Sequence, residues 1–166
     1  MELLSFEPQV AQLADALRAR GWRMASAESC TGGLIAAACT ALAGSSDWFE
    51  RGFVTYTNEA KSQLLGVDAE LFERVGAVSE EVARAMVQGA LQRAPVQLAV
   101  AVTGVAGPSG AVPGKPVGTV WLAWGTARAV QAERLQLAGD RDAMRGASVS
   151  AALQRLLRHV QQEGRA

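Results

Sequence analysis

Apolar residues at helical spacing, Val10, Leu13, Ala14 and Leu17, predict a helix from Pro8 to Arg20, with Gly21 as its stop. The apolar run Trp22 to Ala27 reads as a first strand. It leads through Ala27-Glu28-Ser29-Cys30-Thr31-Gly32-Gly33 into a second helix, from about Thr31 to Ala43, with Thr31 as a suitable N-cap. After a turn at Gly44 to Asp47, Gly52 to Tyr56 is the next strand, and Trp48 and Phe49 are expected against the domain edge. Asn58 is placed to cap a short helix to Leu65, Asp68 to open another to about Arg74, and Ser79 to cap a third. Val82, Met86, Ala90 and Leu91 form the buried stripe of that third helix.

Val96 to Val102 is almost continuously apolar, the pattern of a strand covered on both faces. Gly107 to Lys115-Pro116, with three Gly and three Pro in ten residues, excludes regular structure. Val117 to Trp124 and Ala129 to Leu137 then read as a strand pair joined near Gly125-Thr126, and Asp140 caps a long last helix with Leu153, Leu156, Leu157 and Val160 on one face. Strands and helices alternate first and an antiparallel pair follows. The predicted class is therefore α/β, a three-layer α/β/α sandwich around a mixed sheet, as a single domain over residues 1–166. Ligands of such sheets bind at strand carboxyl ends. Those ends fall at Glu28-Ser29, Tyr56-Thr57-Asn58 and Thr103-Gly104.

Length and charge narrow the class. A chain of 166 residues suits one domain with a sizeable core. Sixteen basic residues balance sixteen acidic ones, so there is no basic stripe of the kind nucleic acid requires. Cys30 and Cys39 with one distant histidine make no zinc set and read as reduced thiols. The glycines and polar residues within the uncharged stretch Ser29 to Ser46 argue against a membrane span, and no signal-type apolar region opens the chain. A cytoplasmic protein is expected, with no metal and no cofactor.

The candidate chemistry gathers at the strand ends. Ser29 is a possible nucleophile if a base lies near, with Cys30 as its rival; in an extended segment the two point to opposite sides. His159 sits in the apolar-spaced end of the last helix and reads as a satisfied or solvent-facing side chain, not a triad member. Glu28, Glu59 or a desolvated lysine remain as bases. Lys61 stands five residues after the only tyrosine, Tyr56, in a chain that otherwise prefers arginine, fourteen to two. The Thr31-Gly32-Gly33 helix start reads either as a tight packing turn or as an anion site. Arg141 and Arg145 share one face at the start of the last helix, where the dipole disfavours cations; an anionic ligand or nearby acids would resolve that conflict.

Several blocks carry a resemblance: Ala27 to Gly33, Val54-Thr55-Tyr56-Thr57-Asn58-Glu59-Ala60-Lys61, Gly76 to Glu80, Val102-Thr103-Gly104-Val105-Ala106-Gly107-Pro108, Lys115 to Val120 and Gly139-Asp140-Arg141. In this order, over residues 7–160, the chain resembles the CinA C-terminal domain family in its stand-alone form. Two departures are a single glycine in Ser109-Gly110-Ala111 and Thr57 where serine is frequent. The resemblance implies an amidohydrolase that converts nicotinamide mononucleotide to nicotinate mononucleotide and ammonia. It implies a serine, tyrosine and lysine set on Ser29, Tyr56 and Lys61, and a homodimer, for which Trp48 or Trp121 could supply contacts. Backbone amides near Ser29 or at Thr103-Gly104 are candidates for the oxyanion. The phosphate is expected at Thr31-Gly32-Gly33 or against Arg141 and Arg145, with Glu28, Asn58, Thr103 and Gly104 also facing substrate. The competence name of the family leaves an alternative, a non-catalytic interaction protein of DNA uptake or repair, and another, a pyridine-nucleotide-binding module.

Overall fold

Five strands and six α-helices follow one another in a computed structural model that describes residues 2–163. They are α1 (Glu7–Arg20), β1 (Met24–Glu28), α2 (Leu34–Ala41), β2 (Phe49–Val54), α3 (Asn58–Leu65), α4 (Ala69–Val75), α5 (Glu80–Arg93), β3 (Leu98–Gly104), β4 (Thr119–Gly125), β5 (Val130–Gln136) and α6 (Arg141–Glu163). The sheet order is β2-β1-β3-β4-β5. β1 runs parallel to both β2 and β3, whereas β4 is antiparallel to β3 and β5. This is the expected mixed sheet.

Alternation along the strands builds a core on each face. Leu98, Val100 and Val102 of β3 pack with Val10, Leu13 and Leu17 of α1, Ile35 of α2, and Leu153 and Leu156 of α6. Ala99 and Ala101 face the other way, joining Ala27 and Ala123 beneath Val82, Met86, Val87 and Ala90 of α5. Bulky strand residues meet three helices on one side, and small ones let α5 lie close on the other. Because β1 is covered on both faces, all five of its residues are buried.

Helix starts follow local chemistry. Thr57, not Asn58, caps α3, its hydroxyl accepting the Ala60 N–H at 3.1 Å. Asp68 and Ser79 cap α4 and α5 as expected, and Asp140 accepts from Ala143 N–H at the start of α6. The second helix departs from expectation: it begins at Leu34, and its N-cap is Gly33 in the left-handed region. The Thr31 hydroxyl is drawn elsewhere, to Glu28. Trp48 also departs, being wholly buried in the larger core just before β2, so it supplies no surface for a partner. Trp121 is half-buried against the α5 side. No described helix is long and apolar enough to cross a membrane.

Candidate active site

The carboxyl ends of the three parallel strands converge, and Ser29 stands one residue beyond β1. Its N–H donates to the Val102 carbonyl at 3.0 Å, carrying the ladder one step past the strand. Lys61, in the first turn of α3, lies under it. Parallel pairing places Thr55 beside Glu28, where Thr55 N–H donates to the Glu28 carbonyl at 2.8 Å. Lys61 Nζ donates both to the Thr55 carbonyl and to Ser29 Oγ, each at 3.0 Å. The lysine is 1% exposed. Burial lowers its pKa from the ordinary lysine value, because a buried ammonium has lost its hydration. In the neutral amine the same contact reverses, with Ser29 O–H donating to the nitrogen lone pair. An alcohol and a desolvated amine at this distance form a nucleophile and a base.

Cys30 points the other way, into the larger core, where burial pushes its thiol up to about 11. A thiol held in its neutral form is a poor nucleophile.

Glu28, expected to face substrate, is instead wholly buried and anchors the turn. Its carboxylate accepts from Thr31 Oγ1 at 2.8 Å, Ile35 N–H at 2.9 Å, Ala36 N–H at 3.0 Å and Ser26 Oγ at 3.1 Å. Two free amides of the α2 start are thereby satisfied from within the chain. The phosphate position expected at Thr31-Gly32-Gly33 is filled by this internal carboxylate, and Thr31 itself is fully buried. Arg145 is likewise not on the cleft wall. Its Nε donates to the Cys30 carbonyl at 3.1 Å and its Nη2 to the Thr31 carbonyl at 3.3 Å, clamping the turn from α6.

An open cleft of about 320 Å³ lies over Ser29 and Lys61. Tyr56, Asn58, Thr103, Gly104 and Arg141 line it, as do Val78, Ser109 and Gly110 from two loops that sequence reasoning left without a role. Tyr56 is 57% exposed and accepts from Arg141 Nη2 at 2.7 Å; among the described residues no hydrogen bond joins it to Ser29 or Lys61. Arg141 also donates to the Gly107 carbonyl at 2.8 Å, which ties the Gly/Pro loop to the cleft mouth. The Thr103 hydroxyl donates to the Ala77 carbonyl at 2.9 Å. The Thr55 carbonyl, second acceptor of Lys61, carries no side-chain signal by which a sequence could disclose it. His159 is buried far along α6 and not solvent-facing, with no partner for Nε2 among the described residues, and burial lowers its pKa.

The family model of the CinA C-terminal domain matches residues 7–160. A nicotinamide-nucleotide amidohydrolase of Pseudomonas putida is 55% identical over 146 residues, covering 88% of this chain and 91% of that protein. Its counterpart in Escherichia coli K12 is 51% identical over 156 residues, 93% of each chain. Among solved structures, a competence/damage inducible protein of Agrobacterium tumefaciens superposes with a TM-score of 0.89 at 44% identity, covering 92% of this chain and 93% of that one. A CinA-superfamily protein of Klebsiella pneumoniae gives 0.90 at 39% identity, with 93% and 97% covered.

The four bonds of Glu28 make a stability prediction. Glu28→Gln offers one acceptor oxygen and turns an NH2 group on an N–H donor. Urea denaturation should show a loss of roughly 1.5–3 kcal/mol, the range for hydrogen bonds to a charged group. Unchanged stability would remove Glu28 as the anchor of the turn.

Proposed function

The chain belongs to the CinA C-terminal domain family, and from that membership and the site geometry we propose that it is a nicotinamide-nucleotide amidohydrolase. Its substrate on this reading is nicotinamide mononucleotide, hydrolysed to nicotinate mononucleotide and ammonia. The observation that carries the proposal is the 3.0 Å contact between Ser29 Oγ and a buried Lys61 at the floor of a cleft. The relatives' names supply the substrate.

The chemistry follows from the two side chains. Lys61 in its neutral form, which burial favours, takes the proton as Ser29 Oγ bonds to the carboxamide carbon. Collapse of the tetrahedral species breaks the C–N bond, and the proton on Lys61 leaves with the nitrogen as ammonia. Water, deprotonated by the same amine, then attacks the Ser29 ester; the bond to Oγ breaks, the proton on Lys61 returns to Ser29 Oγ, and the acid is freed. Tyr56 enters from the cleft wall as the partner of Arg141, rather than through a bond to Lys61. Two of the five N–H donors of Arg141 are engaged within the protein, leaving others for the phosphate. Asn58 and Gly104 line the same wall and face the substrate. A homodimer belongs to this reading, formed without Trp48. The competence names of several structural relatives describe no chemistry, and no feature of the cleft favours a purely non-catalytic role.

Purified protein should release ammonia from nicotinamide mononucleotide. Ser29→Ala should abolish release while Cys30→Ala keeps most of it. Lys61→Arg keeps the charge but cannot act as a base, so it should be as inactive as Lys61→Ala; an active arginine variant would move Lys61 to substrate binding. With the Lys61 pKa lowered, the neutral base gains population as pH rises. The acid limb of kcat/KM should therefore level off below the ordinary lysine pKa of about 10.4.

Phosphate recognition separates the two arginines. Arg141→Ala should raise KM for the mononucleotide and narrow its advantage over nicotinamide riboside, which lacks the phosphate. Arg145→Ala should loosen the turn and leave that preference intact. If the preference follows Arg145 instead, the phosphate assignment is wrong.

A further inference from the structure

Gly104 closes β3 at the cleft wall, and its main-chain amide has an orientation dictated by the sheet. Successive residues of a strand turn their N–H and C=O groups to opposite sides. The Val102 carbonyl accepts from Ser29 N–H at 3.0 Å, so the main-chain groups of Val102 face β1. Those of Thr103 face β4, and those of Gly104, two residues on from Val102, face the β1 side again. The β4 side agrees: Val105 N–H donates to the Thr119 carbonyl at 2.8 Å, and Gly104 sits opposite Val120 in the neighbouring non-bonded pair.

On the β1 side the strand has ended at Glu28, and the Ser29 turn occupies the space opposite Gly104. In a continued ladder Gly104 N–H would donate to the Ser29 carbonyl. That carbonyl instead accepts from Gly32 N–H at 2.9 Å, inside the turn. Gly104 N–H is thus left without an acceptor among the described residues. The residue is partly exposed and lines the cleft with Ser29 and Lys61. The amide of Ser29 cannot serve the same purpose, because it is committed to Val102.

We propose that the Gly104 main-chain N–H is an oxyanion donor of this enzyme. The proposal rests on the amidohydrolase reading with Ser29 as nucleophile. As Ser29 Oγ bonds to the carboxamide carbon and its proton passes to Lys61 Nζ, the carbonyl electron pair moves onto oxygen, and Gly104 N–H holds that charge. The pair returns as the C–N bond breaks, so the donor acts on the transition state and not on the ground state. The turn that supplies the nucleophile also frees the donor, by taking the Ser29 carbonyl for Gly32.

An added Cβ on Gly104 would stand 2.7 Å from Val120 Cγ2 and 3.0 Å from the Thr119 carbonyl, so a side-chain substitution would disturb β4 as well. The test is an ester variant carrying glycolic acid in place of Gly104, which removes the N–H and adds no atom. kcat for ammonia release from nicotinamide mononucleotide should fall roughly 10²–10³-fold. KM should stay close to wild type, and the melting temperature should fall less than in the comparison ester at Ala101, since no N–H donor of the fold is lost and only the Thr103 carbonyl is weakened as an acceptor. A comparison ester carrying lactic acid in place of Ala101, whose N–H is directed to β4, should lower the melting temperature and keep kcat near wild type. If the wild-type protein turns over and the Gly104 ester keeps its kcat, this proposal falls and the amidohydrolase reading stands. If the wild-type protein releases no ammonia, both fall together.

Discussion

An amine at 1% exposure must either lose its proton or find partners, and the placement of Lys61 rests on that constraint. The fold gives it two oxygens, the Thr55 carbonyl and Ser29 Oγ, and, among the described residues, no carboxylate hydrogen bond. A carboxylate there would hold the ammonium form; two neutral acceptors leave burial to dominate, and the pKa falls. Each acceptor comes from a different strand end. Parallel pairing of β1 with β2 brings Thr55 and Ser29 together, and the turn into α3 delivers the lysine between them. The reactive pair depends on three elements meeting at one end of the sheet, and no one of them could supply it.

The turn after β1 is fixed from two sides. Glu28 holds the start of α2 and the Thr31 side chain from beneath, and Arg145 holds the Cys30 and Thr31 carbonyls from α6. The carboxylate supplies the negative charge that a helix start favours, so this start is not free for a ligand's phosphate. Positive charge at the cleft comes instead from Arg141, through the side chain that also fastens Tyr56 and the Gly/Pro loop. On the proposed reading, stability and substrate recognition are divided between two arginines four residues apart on one helix.

The layering was legible in the chain because each strand has a clear period or a continuous apolar run, as in Val96 to Val102. Ser29 and Lys61 were legible by type, a small hydroxyl at a strand end and a rare lysine. Glu28 and Arg145 were not, because a charge beside a Gly-rich turn reads as ligand-facing until its internal partners are known. The direction of the Gly104 amide depends on strand register, which no single residue encodes. Trp48 misled for a similar reason: only the start of β2 at Phe49 decides that the ring before it faces inward.

The central claim is that Ser29 bonds covalently to the carbonyl carbon of the substrate during turnover. Rapid acid quench of the protein with nicotinamide mononucleotide, followed by peptide mass spectrometry, tests it directly. The account predicts a nicotinate mononucleotide ester on the peptide that carries Ser29, present in wild type and missing from Ser29→Ala. A thioester at Cys30, or turnover by Ser29→Ala at the wild-type rate, would contradict it.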